Sequence, residues 1–258
     1  MKKPAVRLNQ RGSLPLLIIG LVVIVLAVGS ILVYVSKKSH ESKTPSAPTA
    51  QYNPRLEATD FTTAITNKYF SVKAGQKITY ESETSKGHET VTITIPGTTK
   101  KIAGFDTLVY HDQVFLNGVP VEDTHDYLAQ QKSTGDVWYF GEEVDNYENG
   151  KIKDHHGTFL HGTDGAKAGI WMKANQKVGD SYRQEYYKGK AEDMLDVIAV
   201  NQTVKTKRGT YTGCVKLYAW TPIEDDKEYK YNCPDVHIEV LVQDLSEHKN
   251  VELVSITH

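Results

Sequence analysis

The stretch Glu89-Thr90-Val91-Thr92-Ile93-Thr94-Ile95 alternates polar and apolar residues with a period of two and is rich in β-branched types. Side chains of an extended chain point alternately to opposite faces, so Val91, Ile93 and Ile95 share a buried face and the threonines share the other. Residues 77–83, 107–115, 127–132, 137–140, 182–187, 213–220, 227–232, 237–242 and 251–257 repeat the pattern. Turn signals separate them at Lys86-Gly87, Pro96-Gly97, Asn117-Gly118, Thr134-Gly135-Asp136, Asn149-Gly150 and Arg208-Gly209. Asn-Gly favours positive φ at both central positions of a tight hairpin, and short connections make sequential strands pair antiparallel. The expectation is an all-β domain, mainly an antiparallel meander of about ten strands curled into a half-barrel or barrel. Residues 60–68 and 189–197 are two places where a short helix could fit; the second holds the ambiguous run Ala191-Glu192-Asp193-Met194-Leu195.

Ahead of this domain lies an apolar run from Leu14 to Val35 without a charged residue. At about 1.5 Å per residue it reaches roughly 33 Å, enough to cross a hydrocarbon core of about 30 Å. The competing reading is a cleaved signal peptide, cut after Ala27-Val28-Gly29, but its apolar core is ordinarily shorter, at about 7–15 residues. Lys2, Lys3, Arg7 and Arg11 precede the run, and Lys37, Lys38 and Lys43 follow it. The excess before it places the N-terminus inside. The sequence therefore divides into a cytoplasmic tail (1–13), a transmembrane signal anchor (14–35), a Ser/Pro/Lys-rich disordered tether (36–53) and an extracytoplasmic β-rich domain (54–258). The location implied is the cytoplasmic membrane, single-pass, with the lipid bilayer as partner of residues 14–35.

Charge separates along the same boundary. Six of the 30 Lys and Arg lie in residues 1–38, which hold no Asp or Glu, leaving 24 basic against 32 acidic residues beyond. An acidic exported domain does not suit nucleic acid, which calls for clustered cations. The compact basic cluster at residues 205–208 reads as a solvated hairpin turn.

Cys214 and Cys233 flank the turn-like Thr221-Pro222-Ile223-Glu224-Asp225-Asp226 symmetrically. If the flanking segments form a hairpin about that loop, the two cysteines oppose each other and a cross-strand disulfide can form in an oxidising compartment. Two free thiols, or half of a metal site, are the alternatives.

The segments Asp136-Val137-Trp138-Tyr139-Phe140-Gly141-Glu142, Asp164-Gly165-Ala166 with Gly169-Ile170-Trp171-Met172, Val178-Gly179-Asp180-Ser181-Tyr182-Arg183-Gln184-Glu185-Tyr186-Tyr187 and Ala191-Glu192-Asp193 resemble a family of uncharacterised bacterial exported or membrane-anchored proteins. Asn67-Lys68-Tyr69-Phe70 shares in the resemblance. It implies export and a β-rich fold, and brings no activity with it. The two cysteines look like an addition of this member.

No Gly-x-Ser-x-Gly or His-Glu-x-x-His motif occurs, and no cofactor motif is legible. Two site readings follow. The first is a non-catalytic binding or envelope-structural module for a hydrophobic or envelope-derived ligand or a protein partner. Trp138, Phe140, Trp171 and Tyr186 would line its groove, with Glu185 counted among them. The second is a metal-dependent hydrolase using His155, His156, His161 and Asp164, whose imidazoles and carboxylate suit a zinc-like ion.

Overall fold

The computed structural model describes residues 52–258. The expected tail, the anchor and nearly all of the tether lie outside the described residues, among which no helix is long and apolar enough to cross a membrane. Tyr52, assigned above to the tether, already belongs to the folded part, its hydroxyl donating to Ala168 O at 3.0 Å.

After a 3₁₀ turn at Ala58–Asp60 the described residues form seventeen strands. They are β1 (Phe61–Thr62), β2 (Lys77–Thr84), β3 (Gly87–Thr94), β4 (Thr99–Ile102), β5 (Phe105–Leu116), β6 (Val119–Gln131), β7 (Val137–Glu148), β8 (Lys151–Asp154) and β9 (Phe159–Leu160). Then follow β10 (Lys167–Met172), β11 (Ser181–Arg183), β12 (Glu185–Tyr186), β13 (Met194–Lys205), β14 (Thr210–Trp220), β15 (Lys227–Cys233), β16 (Ile238–Asp244) and β17 (Lys249–Thr257). All pairings are antiparallel. The wall runs β2–β3–β5–β6–β7–β10, then through β12 and β11 to β13, and on by β14–β15–β16–β17 back to β2. The result is an up-and-down barrel, nearly closed, as the meander pattern anticipated. Its weakest seam is β11–β12, where the chain bends at Gln184 so that β11 pairs with β13 and β12 with β10. Gly169 lets the wall close there: a Cβ on it would stand 2.3 Å from Gln184 O.

The period-two pattern delivers the core. Ile78, Tyr80, Val91, Ile93, Leu128, Tyr139, Leu195, Leu217, Val251 and Leu253 are essentially inaccessible and fill the lumen. Residues 63–76 lie across one end of the barrel as a plug, burying Ile65, Tyr69, Phe70 and Val72. Asn67 Nδ2 donates to Gly135 O at 3.0 Å, Ser71 N to His237 O at 2.7 Å, and Gly75 N to Ile95 O at 2.8 Å. A second apolar cluster sits outside the β5–β6–β7–β10 wall, where Phe61 meets Phe105 and Phe140 edge-on at 5.3 Å each.

Two local expectations are corrected. Residues 60–68 form no helix, only the end of the 3₁₀ turn and β1. Residues 189–197 lead instead into β13, where Met194, Leu195 and Val197 pair with Trp220, Ala219 and Leu217 of β14; tertiary pairing overrides the helical propensity of Ala-Glu-Asp-Met-Leu.

The Asn-Gly turns behave as expected, with φ of +52° and +77° at Asn117-Gly118 and +54° and +72° at Asn149-Gly150. Asn117 also ties two hairpins together, accepting from His88 N at 3.1 Å and donating to Lys86 O at 3.1 Å. Asn117→Ala loses both bonds and puts alanine in a left-handed conformation, so urea unfolding should show a loss of about 1–2 kcal/mol.

Candidate binding site in the barrel lumen

The lumen is graded. On β5 the inward residues run Leu108, Tyr110, Asp112 and Val114 away from the plug, and on β6 the order from the plug is Leu128, Asp126, Thr124 and Glu122. β7 continues the trend with Tyr139 and then Glu142. Apolar side chains thus fill the plugged half, and carboxylates populate the middle and the far half.

A bulge aims Glu142 inward. Tyr139 pairs with Leu128 and Glu142 with Asp126, so Phe140 and Gly141 together oppose the single residue Tyr127. The extra residue shifts the alternation: Tyr139 points in, Phe140 packs outside, and Glu142 points in again. Gly141 accommodates this with φ of +136°, and a Cβ there would meet Phe159 O at 2.3 Å.

Across the lumen, Glu185 on β12 is fully buried, as are Asp126 and Glu142. The Tyr139 hydroxyl donates its one proton to Asp126 Oδ1 at 2.5 Å. Tyr139 also flanks Glu142 and the Asp193 backbone flanks Glu185, but neither makes a well-formed hydrogen bond there. Both oxygens of Glu142, both of Glu185 and Asp126 Oδ2 are therefore without a hydrogen-bond partner among the described residues. Lys230, also in the lumen, sits 3.3 Å from Glu228 and offsets the burial of Glu185 only in part.

Burial dominates the electrostatics. Desolvation pushes Glu142, Glu185 and Asp112 well above the usual carboxylate range, and each is raised further by neighbouring acids. Desolvation lifts Asp126 and Asp193 to about 7 and Glu239 to about 8, against the lowering effect of Lys230. Lys230 itself is raised: burial works to lower it, but Glu228, Glu239 and Asp193 outweigh that. Free space is scarce. A cavity of about 30 Å³ lies among Phe70, Tyr110, Trp171, Lys230 and Glu239, room for one water-sized group.

The five expected ligand-lining residues do not form one groove. Trp171 faces the lumen against Tyr139 (ring centroids 5.0 Å), Phe70 and Tyr110, and Glu185 is fully buried within the electrostatic reach of Asp126 and Asp193. Trp138 and Phe140 lie on the opposite side of the wall in the outer apolar cluster, because the pleat of β7 sends Tyr139 in and its neighbours out. Tyr186 is half-buried, edge-on to Tyr52 at 5.6 Å with the Arg183 guanidinium 4.7 Å from its ring.

The expected histidine loop is likewise dispersed. His155 Nδ1 lies 2.8 Å from Asp145, His156 is exposed, His161 accepts from Ala168 N at 3.0 Å, and Asp164 occupies an exposed turn at φ +50°. No three of these four come within ligand distance of one another; the described cluster that does is His111, Asp123 and His125. Asp112, Asp126, Lys230 and Glu239 had no signal as single positions, since each reads as a surface residue until the wall curls around it.

No protein-family model matches the chain, and no curated protein does. Among solved structures, a "putative lipoprotein" from Parabacteroides distasonis matches with a TM-score of 0.39 at 13% identity, over 74% of this chain and 99% of that one. So distant a likeness carries no functional inference.

Proposed function

We propose that the chain is a non-catalytic binding module displayed outside the cytoplasmic membrane, anchored by residues 14–35 and spaced by residues 36–51. Its lumen takes a small protonated amine at Glu142 and Glu185. The observation that carries this reading is the pair of fully buried carboxylates whose four oxygens lack partners. A buried acceptor without a donor costs about 1–3 kcal/mol, more when charged, and an ammonium head supplies both the charge and the donors. Aromatic rings at Tyr139, Tyr110 and Trp171 suit a cation as well. The cavity beside Lys230 and Glu239 is too small for the bulky apolar ligand expected from the aromatic content. The location is supported by the apolar run, the acidic charge beyond it, the resemblance to exported bacterial proteins, and a disulfide that an oxidising compartment permits.

The test uses the full chain in detergent micelles at pH 8, above the values to which Asp126 and Asp193 are raised. Saturating putrescine should raise the unfolding temperature by several degrees, as mass action requires of a ligand bound to the folded state. The Glu142→Gln/Glu185→Gln variant should lose that rise. No rise in the parent, or an equal rise in the variant, overturns the proposal.

A further inference from the structure

A different face of the barrel carries a second site. Asp112 and Val114 point into the lumen, so His111 and Gln113 between and beside them point outward. His111 on β5 pairs directly with His125 on β6, and Gln113 with Asp123. The two imidazoles stack at 4.2 Å between centroids and 9° between planes. His111 Nε2 lies 2.8 Å, and His125 Nδ1 3.7 Å, from Asp123 Oδ1. One ligand atom from each residue falls within 4.8 Å of the other two.

We propose that His111, Asp123 and His125 form a binding site for a divalent transition metal of the zinc type on the outer face of the barrel. Two imidazoles and one carboxylate are the donor set such ions take, in preference to the all-oxygen sets of calcium or magnesium. At bond lengths of about 2.0–2.1 Å, tetrahedral ligand atoms stand roughly 3.3 Å apart, and the two separations to Asp123 Oδ1 bracket that value. The outer shell is built as well. Gln113 Nε2 donates to Asp123 Oδ2 at 2.7 Å, fixing the carboxylate, and Thr94 Oγ1 lies 3.4 Å from His111 Nδ1, the ring nitrogen facing away from the site. Glu143, opposite His125, is held by Lys100 at 2.7 Å and by Tyr127, which leaves the three named residues as the ligands. Side-chain exposures of 22%, 23% and 44% for His111, Asp123 and His125 leave a fourth position open to solvent. Both strands lie in the continuous wall, so the ligands are presented on rigid backbone. The site is independent of the lumen: it uses the opposite face of the same strands.

The experiment is titration of untagged full-length protein in micelles with zinc chloride, followed by calorimetry, and with cobalt chloride, followed by the visible spectrum. The expected result is one ion per chain with a tetrahedral cobalt spectrum. His125→Gln and His111→Gln should each weaken binding roughly 100-fold or more, and Gln113→Ala about tenfold, the range seen for outer-shell partners. The three positions face solvent, and unchanged circular dichroism would show that the variants fold. His155→Gln/His156→Gln should bind as the parent does. Zinc affinity unchanged in His111→Gln/His125→Gln, loss confined to the His155→Gln/His156→Gln variant, or absence of stoichiometric binding would overturn the assignment.

Discussion

Thermal unfolding should occur at a temperature on the order of 10 °C lower at pH 8 than at pH 5. Glu142 and Glu185 are held well above the carboxylate range by burial, Asp193 is raised to about 7 and Glu239 to about 8. In the unfolded chain the same groups titrate near 4. Between about pH 4 and pH 8 the folded barrel thus retains protons that the unfolded chain has released. Each such group contributes stability that is full below its unfolded value and is lost as pH rises through its folded value. A tenfold difference in proton affinity between the folded and unfolded chain corresponds to about 1.4 kcal/mol, so these acids, acting together even at a fraction of their full effect, amount to a few kcal/mol. Asp60, Asp154 and Asp180 work in the opposite sense, being lowered by hydrogen bonds and nearby lysines, but they are only half-buried and their stability is lost only as pH falls below about 4. Glu142→Gln/Glu185→Gln should flatten the profile and be more stable than the parent at pH 8. Calorimetric scans from pH 5 to 8 check this; a parent whose stability climbs with pH would refute it.

Replacing both Cys214 and Cys233 by alanine should cost about 3 kcal/mol and lower the unfolding temperature by about 6–12 °C. The two residues are inaccessible and bonded, with 4.1 Å between their Cα atoms and a separation of 19 positions. They close the end of the β14–β15 ladder, whose next pair is Val215 with Asn232. The effect should reach the plug. Asn232 Nδ2 donates to Tyr69 O at 3.5 Å, His237 Nδ1 lies 2.9 Å from Lys68 O, and Ser71 N bonds to His237 O. Hydrogen exchange of the Ser71 amide should accelerate on reduction more than that of Val91 in the wall. Equal unfolding temperatures with and without reductant would show that the crosslink contributes nothing.

The barrel is legible in the sequence wherever its inward residues are apolar. β3 and β2 announce themselves because Val91 and Ile93, and Ile78 and Tyr80, alternate with polar neighbours. The register of the cysteine hairpin follows from the symmetry of its loop, and Lys216 does pair with Tyr231 about that centre. The apolar pattern starts β6 only at residue 127, whereas the strand begins at Val119, since its inward residues Glu122, Thr124 and Asp126 erase the alternation. The lumen site hides for the same reason: a buried carboxylate and a solvated one are identical letters, and only closure of the wall tells them apart. The bulge at Gly141 carries Glu142 to the face that strict alternation from Tyr139 would deny it. The histidine cluster is invisible in the sequence because His111 and His125 meet across a register that no local spacing encodes.

The pairing of β2 with β17, Lys77 opposite Thr257, has a consequence for the order of events in the making of this protein. The strand made early waits for one made some 170 residues later, so the ring cannot shut until β17 has been synthesised. Until β17 arrives, β2 and β16 each present a bare edge, the arrangement that invites pairing with another chain. A chain truncated before β17 should therefore appear as aggregate rather than as a smaller barrel.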